Sequence, residues 1–122
     1  MPVKATIYHN PACGTSRKVM AALEAAGVDL TVVEYLKTPP DRATLERILK
    51  KMGKPVSAIL RRKGTPHDEL GLGEPGVSDD RIFAAIAEHP ILIERPIVVG
   101  DASAVIGRPP ENVRRLLPAD AG

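Results

Sequence analysis

The stretch from residue 6 to residue 27, TIYHNPACGTSRKVMAALEAAG, sets the order of the fold and contains the only cysteine of the chain. Residues 6–8 are β-branched or aromatic, which is typical of a short strand. In residues 16–26 apolar side chains recur every three or four positions, and this spacing predicts a helix that ends at Gly27. Cys13 therefore lies on a turn between a strand and a helix.

A second strand is expected at residues 30–36, LTVVEYL, and its adjacent valines predict a strand that is largely buried. The order strand, helix, strand is that of a βαβ unit. The two strands should therefore be parallel, with a right-handed crossover.

The middle of the chain, from about residue 37 to residue 90, has a mainly helical pattern. One helix is expected after Asp41, a plausible N-cap, and a shorter one at about residues 55–60. A third helix is predicted to begin after Ser78 and to stop at Pro90.

The last third returns to strand. Residues 96–99 and 103–106 predict a tight antiparallel hairpin, and a final helix is expected from Pro109. The predicted fold is α/β, with a thioredoxin-like mixed four-stranded sheet, flanking helices and a helical insertion. Residues 1–122 are expected to form one domain, with the helical subdomain inserted at about 37–90.

Composition excludes several classes of function. A formal net charge of +2, two Tyr, one Phe and no Trp argue against a nucleic-acid partner. No apolar run is long enough for a membrane span, and no leader segment is visible. A single cysteine cannot form an internal disulfide, which fits the reducing cytoplasm. We therefore expect a soluble cytoplasmic protein.

The position of Cys13 favours a reactive thiol. Unpaired N–H groups and the dipole at the start of a helix stabilise thiolate over thiol. Thr15 and Ser16 can donate hydrogen bonds to the sulfur, and His9 or Arg17 can supply positive charge nearby. The alternative is a small buried cysteine that only packs in the turn.

Three arginines stand beside prolines or at the end of an apolar run: Arg61, Arg95 and Arg108. Taken singly, each reads as a solvated surface residue. A residue that precedes proline is held extended, however, so its side chain has a defined direction. In a thioredoxin-like sheet the start of the third strand and the end of the fourth lie near the N-terminus of the first helix. Guanidinium groups beside a helix N-terminus predict an oxyanion site.

Four segments together resemble the glutaredoxin-coupled arsenate reductase family. They are YHNPACGTSR at residues 8–17, Ile-Leu-Arg at 59–61, HPILIERPIVV at 89–99 and GRPPE at 107–111. The resemblance runs in order along nearly the whole chain, and the GRPPE form looks like a shorter branch of the family.

The resemblance implies a function for specific residues. Cys13 would be the nucleophile that attacks arsenate. His9 would support activity, and the Ser16 hydroxyl would stabilise the thiolate. The resemblance also implies three oxyanion-binding arginines: Arg61, Arg95 and Arg108. The family's fold implies in addition that the Arg95–Pro96 bond is cis.

The implied reaction is the reduction of arsenate to arsenite, which takes two electrons. One thiol supplies only one of them, so the second thiol must come from outside the chain. The resemblance implies glutathione as co-substrate and glutaredoxin as the partner that resolves the mixed disulfide. No bound cofactor is expected, and no Cys/His spacing predicts a metal site.

Two alternatives stay open. A thiol oxidoreductase of the same family can act on another substrate. A sister group of redox-sensing transcriptional regulators binds RNA polymerase and carries C-x-x-C at this turn, where the present chain has Cys13-Gly14-Thr15-Ser16. Thioredoxin-coupled arsenate reductases, by contrast, have C-x5-R, whereas the spacing here is C-x3-R.

Overall fold

The computed structural model describes residues 4–100, 103–107 and 112–113. The strands and helices are β1 (Lys4–His9), α1 (Gly14–Ala25), β2 (Asp29–Glu34), α2 (Arg42–Met52), α3 (Asp79–Glu88), β3 (Ile97–Val99) and β4 (Ala104–Ile106). Two short 3-10 helices cover Val56–Ile59 and Pro90–Leu92. Within the described ranges, no helix is long and apolar enough to cross a membrane.

The four strands form one mixed sheet in the order β2-β1-β3-β4. β1 and β2 are parallel, with His9 opposite Glu34, as the βαβ pattern predicts. β3 is antiparallel to β1, with Ile97 opposite Tyr8, and β4 is antiparallel to β3. The predicted α/β thioredoxin-like sheet and the predicted hairpin are confirmed. The tip of the hairpin, residues 101–102, lies outside the described residues.

The chain divides into two compact units. The first contains the sheet and α1, and its described residues reach Thr38 and resume at Arg95. The second spans Pro39–Glu94 and contains α2, α3 and the two short 3-10 helices. The organisation as a single domain with an insertion at about 37–90 stays a prediction.

The expectation of a largely buried second strand is wrong. β2 is an edge strand, so one side of its backbone and much of its side-chain surface face away from the other strands. Only Leu30, Val33 and Glu34 of its six residues are partly buried, and Val32 is 41% exposed. The run of adjacent valines is typical of a central parallel strand, but here it reflects β-propensity alone. The strand also ends at Glu34 rather than at Leu36.

The core of the first unit lies between α1 and the sheet. It consists of Ala5, Ile7, Val19, Leu23, Val28, Val98, Val105 and Val113. The end of α1 follows the prediction, because Gly27 adopts the left-handed conformation with φ of 76°. The N–H of Val28 then reaches the Leu23 carbonyl at 3.1 Å, and the Gly27 N–H reaches the Glu24 carbonyl at 3.0 Å. These two bonds are those of a Schellman motif.

The predicted N-caps of the second unit are confirmed. An Asp41 carboxylate oxygen accepts the Thr44 N–H at 2.8 Å, and the Ser78 hydroxyl oxygen accepts the Arg81 N–H at 3.2 Å. The shorter predicted helix is present as the 3-10 helix Val56–Ile59.

Two predictions concern the last third of the chain. The Arg95–Pro96 bond is cis, as expected. Most of the predicted final helix from Pro109 lies outside the described residues, which resume only at Asn112 and Val113.

Gly107 follows β4 at a crowded point of the first unit. A Cβ there would lie 3.0 Å from the Pro96 ring, 3.1 Å from Val19 and 3.4 Å from Val113. Gly107→Ala should therefore lower the free energy of unfolding by about 1–3 kcal/mol through overpacking, measured by urea denaturation. Gly14→Ala is the control, because its Cβ would meet only the flexible Arg17 side chain at 3.8 Å. Equal stability of the two variants would contradict this close packing.

Candidate active site

Cys13 is the N-cap residue of α1, with φ of −94° and ψ of 122°. The helix begins at Gly14, two residues earlier than the pattern of apolar residues predicts. Thr15 and Ser16 are therefore the second and third helical residues. Their N–H groups have no partner within the helix, and they are the groups that an N-cap side chain reaches.

The surroundings of Cys13 favour its thiolate. Burial by itself would raise the pKa of the thiol. The Ser16 N–H, the Arg95 guanidinium and the Thr15 N–H outweigh that effect, so the pKa lies below its ordinary value. Cys13 is half-buried, so part of the residue remains exposed to solvent.

Asn10 shapes the loop that carries the thiol. Its side-chain oxygen accepts the Ala12 N–H at 3.0 Å, and its carbonyl oxygen accepts the Cys13 N–H at 3.0 Å. Arg17 holds the outer side of the loop by donating from Nη1 to the Pro11 carbonyl at 2.8 Å. The loop backbone is thus fixed by hydrogen bonds on both sides of the cysteine.

His9 and Ser16 form a buried pair behind the loop. His9 Nδ1 lies 2.6 Å from the Ser16 hydroxyl oxygen, which also accepts the Asn10 N–H at 3.1 Å. Burial lowers the pKa of His9; the Glu34 carboxylate partly opposes this, and the charge of Arg17 adds to it. Nδ1 of the neutral ring donates to or accepts from the Ser16 hydroxyl according to its tautomer.

This pairing refines two expectations. The Ser16 hydroxyl bonds to His9 and Asn10, and the group of Ser16 that lowers the pKa of the thiol is its backbone N–H. The positive charge beside the sulfur comes from Arg95, rather than from His9 or Arg17.

Arg95 reaches the site from the start of β3. Its Nε and Nη1 atoms are buried, and the guanidinium lowers the pKa of Cys13 through a hydrogen bond and through its charge. A thiolate beside a guanidinium can attack the central atom of an oxyanion while the cation offsets the oxyanion's charge.

Asn10 and Tyr35 also belong to the site, and sequence reasoning missed both. Tyr35 is 0% exposed and follows β2 directly. Burial raises its pKa, against the lowering influence of the Arg95 and Asn10 side chains. Tyr35 could have been found from its position directly after a predicted parallel strand, because parallel strands end at the same edge of the sheet and β1 ends there too. The signal for Asn10 was the Asn-Pro turn dipeptide.

The other two predicted arginines are placed differently. Arg61 belongs to the second unit, where its side chain is 15% exposed and its Nη1 lies 2.9 Å from a carboxylate oxygen of Glu94. Its backbone N–H donates to the Leu92 carbonyl at 2.7 Å. Arg108 lies outside the described residues. Of the predicted residues, the site described here joins Cys13, His9, Ser16 and Arg95, all in the first unit.

Comparison with known proteins gives consistent matches. The profile of the ArsC family matches residues 8–116. The arsenate reductase of Rhizobium meliloti is 53% identical over 113 residues, which are 93% of this chain and 81% of that protein. The arsenate reductase of Neisseria meningitidis serogroup A is 43% identical over 112 residues, which are 91% of this chain and 96% of that protein. A solved structure of arsenate reductase from Vibrio cholerae superposes with a TM-score of 0.90 at 46% identity, covering 96% of this chain and 100% of that one.

The role of Arg95 in activating the thiol can be measured. Arg95→Gln should raise the pKa of Cys13, because the variant loses both the charge and the hydrogen bonds of the guanidinium. The rate of iodoacetamide alkylation against pH reports the midpoint. Arg47→Gln, which removes an exposed guanidinium from α2 in the second unit, should leave the midpoint in place. An unchanged midpoint in Arg95→Gln would contradict this assignment.

His9 should make stability depend on pH. Its pKa is lowered in the folded protein, so below about pH 6.5 the unfolded chain takes up a proton that the folded chain does not. The free energy of unfolding should therefore fall as the pH drops through that range, and His9→Gln should lose this part of the fall. Urea denaturation between about pH 5.5 and 7.5 measures it. His89→Gln in the second unit is the control for the loss of an imidazole. If the free energy of unfolding depended on pH in the same way in wild type and His9→Gln, the prediction would be contradicted.

Proposed function

This chain belongs to the ArsC family, and from that premise we propose that it reduces arsenate to arsenite with electrons from glutathione and glutaredoxin. The observation that carries the proposal is a half-buried Cys13 at a helix N-terminus beside the Arg95 guanidinium, in a chain with no other cysteine. The names of the relatives support arsenate as the substrate.

In the first step the Cys13 thiolate attacks arsenic. A sulfur–arsenic bond forms, an arsenic–oxygen bond breaks, and the oxygen leaves as water after taking up protons. Arsenic keeps its oxidation state of five. The lowered pKa of the thiol supports this step, because it raises the fraction of the nucleophile that is charged at neutral pH.

In the second step a glutathione thiolate attacks the sulfur of the adduct. A sulfur–sulfur bond forms, and the electron pair of the sulfur–arsenic bond stays on arsenic, which leaves as arsenite in oxidation state three. Each sulfur has given one electron. Cys13 is left as a mixed disulfide with glutathione, and glutaredoxin reduces it by thiol–disulfide exchange.

The remaining residues take supporting roles in this proposal. Arg95 holds an oxyanion oxygen, and Arg61 and Arg108 are proposed as further donors to the same anion. The neutral His9 and the Ser16 hydroxyl keep the start of α1 in place. Their bonds to one another and to Asn10 support that role.

The proposed reaction needs no resident cofactor. Glutathione enters as a co-substrate and glutaredoxin as a protein partner, so we place the protein in the cytoplasm, where both are kept reduced. Neither nucleic acid nor a membrane has a part in the reaction.

Mass spectrometry tests the electron source. After incubation with arsenate and glutathione, without glutaredoxin, Cys13 should carry one glutathione, because the chain holds no second thiol that can displace it. Adding glutaredoxin, glutathione reductase and NADPH should start continuous arsenate-dependent NADPH oxidation.

Cys13→Ser is the control and should abolish turnover, because a serine hydroxyl is almost fully protonated at neutral pH. Turnover with thioredoxin as the sole reductant, without a glutathione adduct, would contradict the mechanism. An adduct formed without arsenate reduction would indicate another substrate for the same thiol.

A further inference from the structure

We propose that the hydroxyl of Tyr35 is an oxyanion-binding donor, which hydrogen-bonds an oxygen of the anion held beside Cys13 and Arg95. This inference rests on the proposed function, since it adds a residue to the substrate site of that reaction. It is drawn from the placement of Tyr35 and from the state of its hydroxyl group.

The sheet brings three chain segments to one edge. β1 and β2 are parallel with His9 opposite Glu34, so the residues that follow, Asn10 and Tyr35, leave the sheet side by side. β3 is antiparallel to β1 with Ile97 opposite Tyr8, which places Arg95 at the same edge. Because β1 lies between β2 and β3, the loop that carries the thiol is flanked by Tyr35 on one side and Arg95 on the other.

The hydroxyl of Tyr35 is buried, and no described group reaches it with hydrogen-bond geometry. The residue is 0% exposed, and within the described part of the chain its oxygen has no partner at hydrogen-bond distance. Buried tyrosine hydroxyls usually find a partner, because removing a polar group from water without one costs free energy. An unpaired hydroxyl in a well-packed site therefore indicates a ligand that completes it.

The neighbours of the hydroxyl identify the ligand as an anion. The Arg95 guanidinium and the Asn10 side chain lie near the Tyr35 oxygen and lower its pKa as donors, although neither reaches hydrogen-bond geometry; the charge on Cys13 raises it. The Asn10 side-chain oxygen accepts the Ala12 N–H. Since both neighbours act on the phenol as donors, its proton needs an acceptor that the described residues do not supply there.

A tetrahedral oxyanion supplies that acceptor. With arsenic near the Cys13 sulfur, one oxygen of the anion meets the Arg95 guanidinium, and another meets the Tyr35 hydroxyl beside it. A phenol that stays protonated, as the raised pKa of Tyr35 ensures, remains a donor throughout the pH range of the reaction.

The test separates a ligand contact from a structural one. Tyr35→Phe removes only the hydroxyl, and Tyr8→Phe removes the other tyrosine hydroxyl of the chain. Because the Tyr35 hydroxyl has no hydrogen-bond partner among the residues that the structure describes, Tyr35→Phe should melt at the same temperature as wild type or higher. A clear drop in melting temperature would overturn the proposal, because it would mean that the hydroxyl stabilises the free protein.

Affinity for arsenate is measured by calorimetry in the Cys13→Ser background, which binds the anion without reacting. Adding Tyr35→Phe should weaken binding about tenfold or more, the effect of losing a hydrogen bond to a charged group. Adding Tyr8→Phe should leave affinity unchanged. Equal affinity with and without the Tyr35 hydroxyl would overturn this inference alone, and no arsenate binding by Cys13→Ser would overturn it together with the proposed substrate.

The pH dependence of alkylation distinguishes the anion from the thiolate as the acceptor. In protein free of arsenate, Tyr35→Phe should leave the midpoint for Cys13 alkylation in place, because the hydroxyl makes no bond to the sulfur. A raised midpoint with unchanged arsenate affinity would show that Tyr35 serves the thiol instead, and would overturn the proposal.

Discussion

The Ser16 hydroxyl is the contact on which the site depends. It is 0% exposed, and its bonds to His9 and to the Asn10 N–H join the end of β1 to the first turn of α1. With those two ends fixed, only a short loop is left between them, and Cys13 becomes the N-cap of the helix. The position of the thiol is thus set by the packing of a strand against a helix and needs no contact made by the sulfur itself.

The charge on the site is balanced within the first unit. Arg95 buries part of its guanidinium, which is costly unless an anion lies close by. The Cys13 thiolate is such an anion. The same interaction lowers the pKa of the thiol, because the guanidinium stabilises the thiolate. Neutral His9 adds no charge of its own, and the charge that lowers the pKa of the thiol is that of Arg95.

Most of the fold could be predicted from the sequence because local signals agree with the tertiary structure. The βαβ unit, the caps at Asp41 and Ser78 and the hairpin each have a short-range pattern. The exposure of β2 could not be predicted, since strand order depends on contacts distant in sequence. Cys13 could be identified from the turn on which it lies, and Arg95 from the proline that follows it. Tyr35 is harder to identify for the same reason, because its position in the site depends on the pairing of β1 with β2. The hydroxyl of Ser16 was assigned to the sulfur because spacing does not show which of two close partners a side chain chooses.

The N-caps of α1, α2 and α3 differ in how well their side chains stabilise the helix. α2 and α3 begin with Asp41 and Ser78, residue types that cap helices well, and both side chains accept a backbone N–H. α1 begins instead with Cys13, whose neutral thiol is a weak acceptor. Once deprotonated, the sulfur takes the part of the capping anion, because the N–H groups that lower its pKa are those of the first turn. In the proposed reaction, a bond from sulfur to arsenic or to a second sulfur removes that charge. The same N–H groups are then left for the oxygens of a bound anion, so a cap whose charge is lost on reaction lets the helix N-terminus serve the proposed substrate.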